Sequence, residues 1–358
     1  SLLLGEAGAD AVWRALRGNT HQQQALNAKN PYRGLLAFEI EHADQLLGRR
    51  AVLAEVRERI QGLLRSEPAR RMLPLIGALG CGKTSFLRAG LLASFLQTTP
   101  SGKAPPAQNE RSGDKRSDPP KESGRGPTDD LPQVSRKHIV VSAPGERPLV
   151  SLAAALSRSS GGSLSSDAVY ELLRQPSGLI TACQRIGGSE ASPLTLIAID
   201  QFEELFTMCR SPKEASQLAS RLLEAATGSQ PIFVILVIRS DFAESLSQFP
   251  ELARLCAAES YTLPMLDRAQ LAEIIASPAQ RAGHRLAPEF VEELVQKTAG
   301  LPHGLPLLQF TLYRLWVDLA SGRDGLVALR HVGGIEGALS DWANSLYKAL
   351  EDDSERVR

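Results

Sequence analysis

At 358 residues the chain is long enough for two or three domains. Apolar residues make up 43% of it, which allows real cores and excludes wholesale disorder. Lys plus Arg balances Asp plus Glu at 40 each, which argues against a generally basic nucleic-acid binder but leaves room for a local basic patch. The four cysteines (Cys81, Cys183, Cys209, Cys256) form no CxxC pair and no Cys/His cluster. Neither a zinc site nor a disulfide framework is expected, and a reducing cytoplasm is the default. The longest purely apolar run, residues 232–238, suits a buried strand and is too short to cross a bilayer, so no membrane partner is expected.

Residues 1–29 read as a short helix around 11–16 followed by a polar, Gln-rich stretch, a linker from an upstream domain. Ser1-Leu2-Leu3-Leu4 has neither the basic start nor the sustained apolar run of a signal peptide, and the lack of an initiator Met points to a fragment. An Asn30-Pro31-Tyr32-Arg33-Gly34-Leu35 turn precedes an amphipathic helix in which Leu53, Val56, Ile60 and Leu63 or Leu64 recur at helical spacing. Residues 72–76 form a short apolar strand running into Gly77. The helix after Lys83 buries Phe86, Leu87, Leu91, Phe95 and Leu96. Residues 98–137 are dense in Pro, Gly, Ser and charge; they cannot bury enough surface to offset their ordering entropy, and are predicted to be a disordered insertion.

A strand at 138–142 follows, then helices at 149–156, 168–173 and near 179–186. The buried strand 194–199 ends at Asp200; a helix near 213–226 leads to the strand 232–238, and 261–263 is a last short one. This alternation implies an α/β fold, a parallel sheet with helices on both faces. From Asp267 the pattern is helical only, through 271–275, 290–298 and 305–319, with Leu312 and Trp316 at helical spacing in the core of this second, all-α module.

Gly77-Ala78-Leu79-Gly80-Cys81-Gly82-Lys83-Thr84 satisfies GxxxxGK[ST] between an apolar strand and an apolar-periodic helix. Its glycines let backbone N–H groups turn inward around phosphate oxygens, and the helix N-terminus adds its positive dipole end. Lys83 would reach the β- and γ-phosphates and the Thr84 hydroxyl would ligate Mg²⁺. Gly77, Gly80, Cys81, Gly82, Lys83, Thr84 and Ser85 are therefore the expected nucleotide-binding residues. Asp200, at the carboxyl end of a parallel strand, points into the crevice where nucleotides bind and can hold Mg²⁺ opposite Thr84. In Asp200-Gln201-Phe202-Glu203-Glu204, a further carboxylate can polarise an attacking water, with Glu203 the first choice and Glu204 the second. Arg239, where the 232–238 strand ends, could touch the γ-phosphate or pair with Asp241.

These phrases, with Leu46-Leu47-Gly48-Arg49, Arg239-Ser240-Asp241-Phe242 and Gly304-Leu305-Pro306-Leu307-Leu308-Gln309-Phe310, resemble the novel STAND ATPases of bacteria, relatives of the NACHT and apoptotic ATPases. The resemblance runs from about residue 30 onward and implies ATP/ADP and Mg²⁺ as cofactors. It implies that Gly48 and Arg49 lie against the base and phosphates, that Pro306 packs on the adenosine side, with Gly300-Leu301-Pro302 a nearby decoy, and that Arg239 is the first sensor. The family often has Glu after that first Arg; here the residue is Arg50. The resemblance also places the Arg239 strand between the P-loop strand and the Asp200 strand. The implied organisation is a linker (1–29), a nucleotide-binding domain (30–264), a helical module (265–330) and the start of a winged-helix domain (331–358). The implied function is a slow ATPase switch, oligomerising when active, joined to effector and sensor domains outside this chain in signalling or antiphage roles. Tyr32 could stack near the base or pack as a core aromatic. An AAA-type remodelling ATPase would need an arginine finger and pore-loop aromatics, for which no convincing candidate stands out. A nucleotide-holding scaffold or transcription regulator without turnover is the other alternative.

Overall fold

The computed structural model describes residues 30–67, 69–96, 132, 134–187, 194–301 and 303–340. The expected helix near 11–16, most of the 98–137 segment, Pro302, and residues 341–358 of the expected winged-helix start lie outside them.

Five strands, β1 (Met72–Gly77), β2 (Ile139–Ser142), β3 (Thr195–Ile199), β4 (Ile232–Arg239) and β5 (Tyr261–Thr262), form one sheet in the order β2-β3-β4-β1-β5, every pair parallel. The main helices are α1 (Arg50–Leu64), α2 (Lys83–Ser85, Phe86–Leu92 and Ala93–Phe95 in continuous succession), α3 (Pro148–Ser159), α4 (Ser166–Leu173), α5 (Gly178–Gly187), α6 (Glu204–Thr207), α7 (Pro212–Thr227), α8 (Pro250–Glu259), α9 (Arg268–Arg281), α10 (Pro288–Thr298), α11 (Gly304–Ala320) and α12 (Gly325–His331), with 3-10 turns among them at Ile40–Gln45 and Ser240–Gln248.

β4 explains why its sequence is a continuous apolar run. Ile232, Val234, Leu236 and Ile238 enter the core shared with α3, α4, α5, α7 and α8, while Phe233, Ile235 and Val237 enter the core shared with α1 and α2. A strand covered on both faces has no polar side to show, so its period of two is visible only in which core each residue joins. Pro74 sits inside β1 without breaking the sheet, because the short β5 begins pairing only opposite Leu75. At Pro74, β1 is therefore an edge strand, where a residue without an N–H is tolerated.

A third core belongs to the helical module. α9, α10, α11 and α12 gather around Trp316, Leu312, Phe290 and Leu294, and Tyr32 from the N-terminal side joins them. Tyr32 donates its hydroxyl to the Ile275 carbonyl at 2.5 Å and meets Trp316 edge-on at 5.9 Å, so it is a packing aromatic. Ile335 packs into the same core.

Several expectations shift. Val52 is the buried residue of the first turn of α1, with Leu53 only partly buried beside it. The chain is packed again ahead of 138: Val134 is buried and bridges Leu96, and His138 closes a short 3-10 turn, so β2 begins at Ile139. α8 escaped the sequence reading because only Leu252 and Cys256 of its ten residues are buried, too thin a stripe to register as periodic. In α2, Phe86–Leu92 is wound as a π-helix, which no apolar spacing announces.

Candidate nucleotide site

The loop after β1 folds as its glycines require. Gly80 (φ +79) and Gly82 (φ +87) take left-handed conformations that side chains rarely adopt. Gly77 needs its bare Cα for space, since a Cβ there would stand 2.8 Å from Cys81 Sγ. Lys83 opens α2, is buried, and donates Nζ to the carbonyls of Gly77 and Ala78 at 2.9 Å each. Its ammonium is thus held by two carbonyls of the loop itself.

Asp200 caps β3 and is 1% exposed. Thr84 Oγ1 donates to Asp200 Oδ1 at 3.2 Å, so hydroxyl and carboxylate meet as the sequence predicted. Arg88, one helical turn past Thr84, donates to the other carboxylate oxygen at 3.2 Å. Burial pushes the Asp200 carboxyl above the usual range, against the opposing pull of Arg88 and Thr84. The next residue, Gln201, is held at φ +54, a strained conformation for a side-chain-bearing residue, with its N–H on Asp200 Oδ1 at 3.1 Å. That kink drives Phe202 into the core and turns Glu203 back toward the loop.

The two glutamates separate clearly. Glu203 lines the cavity, accepts the Arg239 N–H at 3.2 Å, and has its carboxyl raised by burial. Glu204 accepts the Gly145 N–H at 3.0 Å and stays off the cavity wall, so it braces the loop after β2. Arg239 reaches the cavity but is engaged twice over: it grips Asp241 through two bonds of 3.1 and 2.6 Å and lies 5.0 Å over the Phe242 ring.

The cavity these residues share holds about 760 Å³, within the range of about 300–1,000 Å³ usual for small-molecule sites. One wall is the P-loop with Asp200, Glu203 and Arg239. The opposite wall comes from the helical module, with Ile274 and Pro278 of α9 and Leu305, Pro306 and Gln309 of α11. An N-terminal strap, residues 30–47, closes a third side with an apolar surface in which Leu35 and Leu36 remain 53% and 56% exposed. The two modules touch closely here: a Cβ on Gly80 would stand 2.9 Å from His303 Cα, and His303 itself is strained at φ +62.

The two residues before α1 do different work from each other. Arg49 is buried and lines the cavity, yet both ends of its guanidinium are spent on carbonyls, Cys81 O at 2.6 Å and Pro264 O at 2.7 Å. It ties the P-loop to the chain leaving the sheet. Gly48 does not line the cavity. At φ +70 it passes close against the helical module, where an added Cβ would stand 3.3 Å from Gln270 Cβ and from the Leu266 side chain, which is a packing role. Ser85, expected at the nucleotide, lines the cavity and accepts the Phe38 N–H at 3.1 Å. Sequence reasoning missed Arg88, Gln201, the strap and the α9 wall. Only Arg88 left a signal: it stands four residues after Thr84, on the same face of the helix.

Among known proteins, the sequence matches the family described as Novel STAND NTPase 1 over residues 31–358. No match was found among curated proteins. Of the solved structures, the chain is similar to the Walker-type ATPase paby2304 of Pyrococcus abyssi, at 12% identity and a TM-score of 0.47 over 87% of this chain and 76% of that one. It is also similar to Cdc6p from Pyrobaculum aerophilum, at 16% identity and 0.46 over 77% and 63%. A third is the Aeropyrum pernix ORC2 protein in its ADPNP–ADP complexes, at 14% identity and 0.49 over 80% and 68%. These distant likenesses carry no functional weight. The family match spans nearly the whole chain and includes the loop, strand ends and helices that wall the cavity: the chain belongs to the novel STAND NTPase family and is a nucleotide-binding P-loop protein.

Proposed function

We propose that the chain binds ATP with Mg²⁺ in this cavity, hydrolyses it slowly, and uses the nucleotide to govern how the helical module sits on the α/β domain. The observation that carries the reading is the shared wall, with P-loop, Asp200, Glu203 and Arg239 on one side and Pro278, Leu305 and Pro306 on the other. A ligand touching both modules has more contacts when they are together than when they part, and such differential contact is what lets a ligand shift a conformational equilibrium.

The residues present fit Mg²⁺. Thr84 and Asp200 offer a hydroxyl and a carboxylate 3.2 Å apart, hard oxygen donors of the kind this ion takes. When bound, Mg²⁺ would neutralise charge on the phosphates. Lys83 would exchange the Gly77 and Ala78 carbonyls for phosphate oxygens, and Arg239 would leave Asp241 for the terminal phosphate. Glu203, raised by burial and facing the cavity, would orient the attacking water. The Arg239 N–H on its carboxylate links the sensor to the base. Oligomerisation on activation, and a setting in signalling or antiphage defence, we take from the family resemblance.

Binding of a fluorescent ATP analogue and phosphate release test this directly. Lys83→Ala should abolish binding, while Glu203→Gln should bind ATP and hold it unhydrolysed. A Glu203→Gln protein that hydrolyses at the wild-type rate would sink the assigned chemistry and favour a scaffold that merely holds nucleotide.

A further inference from the structure

The ion pair that Arg88 makes with Asp200 is only half of its engagement. Its Nη2 holds Asp200 Oδ2 at 3.2 Å, and its Nη1 holds Glu39 Oε1 on the strap at 2.6 Å. Asp200 is thereby divided: Oδ1 takes Thr84 and the Gln201 N–H, Oδ2 takes Arg88. A carboxylate restrained at both oxygens keeps one orientation, here the one that turns Oδ1 toward Thr84.

The strap end of this chain of contacts is also built. The Phe38 N–H is held by Ser85 Oγ at 3.1 Å, and the Leu46 side chain comes within 2.9 Å of where a Cβ would stand on Gly90. Residues 38, 39 and 46 therefore run along α2 over Ser85, Arg88 and Gly90. A plain surface ion pair contributes little and would need no such support. The Glu39 end is close to that description, its side chain being 42% exposed, but the Asp200 end is not, since its side chain is 2% exposed. Removing the partner of a buried carboxylate lets it move.

We infer that Arg88 is a positioning residue for the metal–nucleotide site, holding Asp200 toward Thr84, and that Glu39 anchors Arg88 from the strap, so that the strap and the metal face are mechanically joined. This rests on the reading of Thr84 and Asp200 as the Mg²⁺ face.

The experiment is binding of a fluorescent ATP analogue to the full chain, titrated with Mg²⁺ and repeated in EDTA, for wild type, Arg88→Gln, Arg88→Lys and Glu39→Gln. Arg88→Gln should raise the Mg²⁺ needed for half-maximal binding by about 10–100-fold, the usual cost of losing the partner that orients a metal ligand, while binding in EDTA stays near wild type. Arg88→Lys should recover part of the loss, and Glu39→Gln should shift the midpoint in the same direction by less. Should Arg88→Gln weaken binding equally with and without Mg²⁺, or leave the midpoint unmoved, the inference falls and the metal reading stands. Wild-type binding indifferent to Mg²⁺ would overturn both. Glu39→Gln, on the exposed side of the strap, keeps the inference open to test even where Arg88→Gln fails to fold.

Discussion

Replacing Gly80 by Ala tests whether the P-loop and the helical module are in true contact. The residue sits at φ +79, where a side chain costs about 1–2 kcal/mol. Its new methyl would also stand 2.9 Å from His303 Cα and 3.4 Å from the Pro306 ring. The first neighbour is backbone at the start of α11, so relief requires that the helix and the loop move apart, an overpacking cost of about 1–3 kcal/mol. Together these predict a loss of about 2–5 kcal/mol. Gly283 is the control: it has φ +86 with nothing within 4 Å of an added Cβ, so Gly283→Ala should lose only the conformational part. Thermal melts without nucleotide would compare the two variants, and small-angle scattering would report the separation of the modules. Gly80→Ala should melt several degrees below Gly283→Ala, each kcal/mol being worth about 2–4 °C in a protein of roughly this size, and it alone should expand. Equal melting points and superimposable scattering would refute the packing argument and, with it, the shared wall of the cavity.

Tyr32→Phe removes the hydroxyl's bond to the Ile275 carbonyl, which keeps its place in the α9 ladder, and should cost about 0.5–1.5 kcal/mol in urea unfolding, with nucleotide affinity unchanged because Tyr32 lies off the cavity wall. Glu204→Gln keeps an amide oxygen for the Gly145 N–H and should hydrolyse ATP near the wild-type rate, whereas Glu203→Gln should not; the reverse ranking in a phosphate-release assay would exchange their roles. The Glu203 carboxyl is raised by burial, so the folded protein binds its proton more readily than the unfolded chain does. Stability therefore falls as pH rises through the window between the ordinary carboxylate value and the raised one. Melting curves from neutral to about pH 4 should show Glu203→Gln more stable than wild type at neutral pH, with the advantage shrinking as the carboxyl is protonated. A constant difference would mean that Glu203 does not carry this penalty.

How far the sequence reached depends on how local each feature is. The P-loop was legible because its glycines, Lys83 and Thr84 are consecutive, and because the strand before and the helix after announce themselves by apolar runs. Asp200 was legible for a similar reason: a buried strand must end somewhere, and the first carboxylate after it stands at the sheet's carboxyl edge. Glu203 was preferred to Glu204 from the sequence, but the geometry that separates them is tertiary: the left-handed turn at Gln201 sends the first to the cavity and the second to Gly145. Arg239 was read as a sensor with a salt bridge to Asp241 as its plainer role, and the structure has it paired with Asp241 at the cavity wall.

The amino-acid order by itself determined the α/β class, the phosphate-binding loop and the carboxylate opposite it, because each depends on neighbours along the chain and on burial patterns with a fixed period. Tertiary structure alone decided that Arg49 braces Cys81 and Pro264, that Gly48 packs on α9, and that Arg88 joins Asp200 to Glu39. It also brought the strap and the helical module over the loop. Those contacts link residues up to hundreds of positions apart, and no periodicity in a sequence encodes which distant surfaces close a cavity.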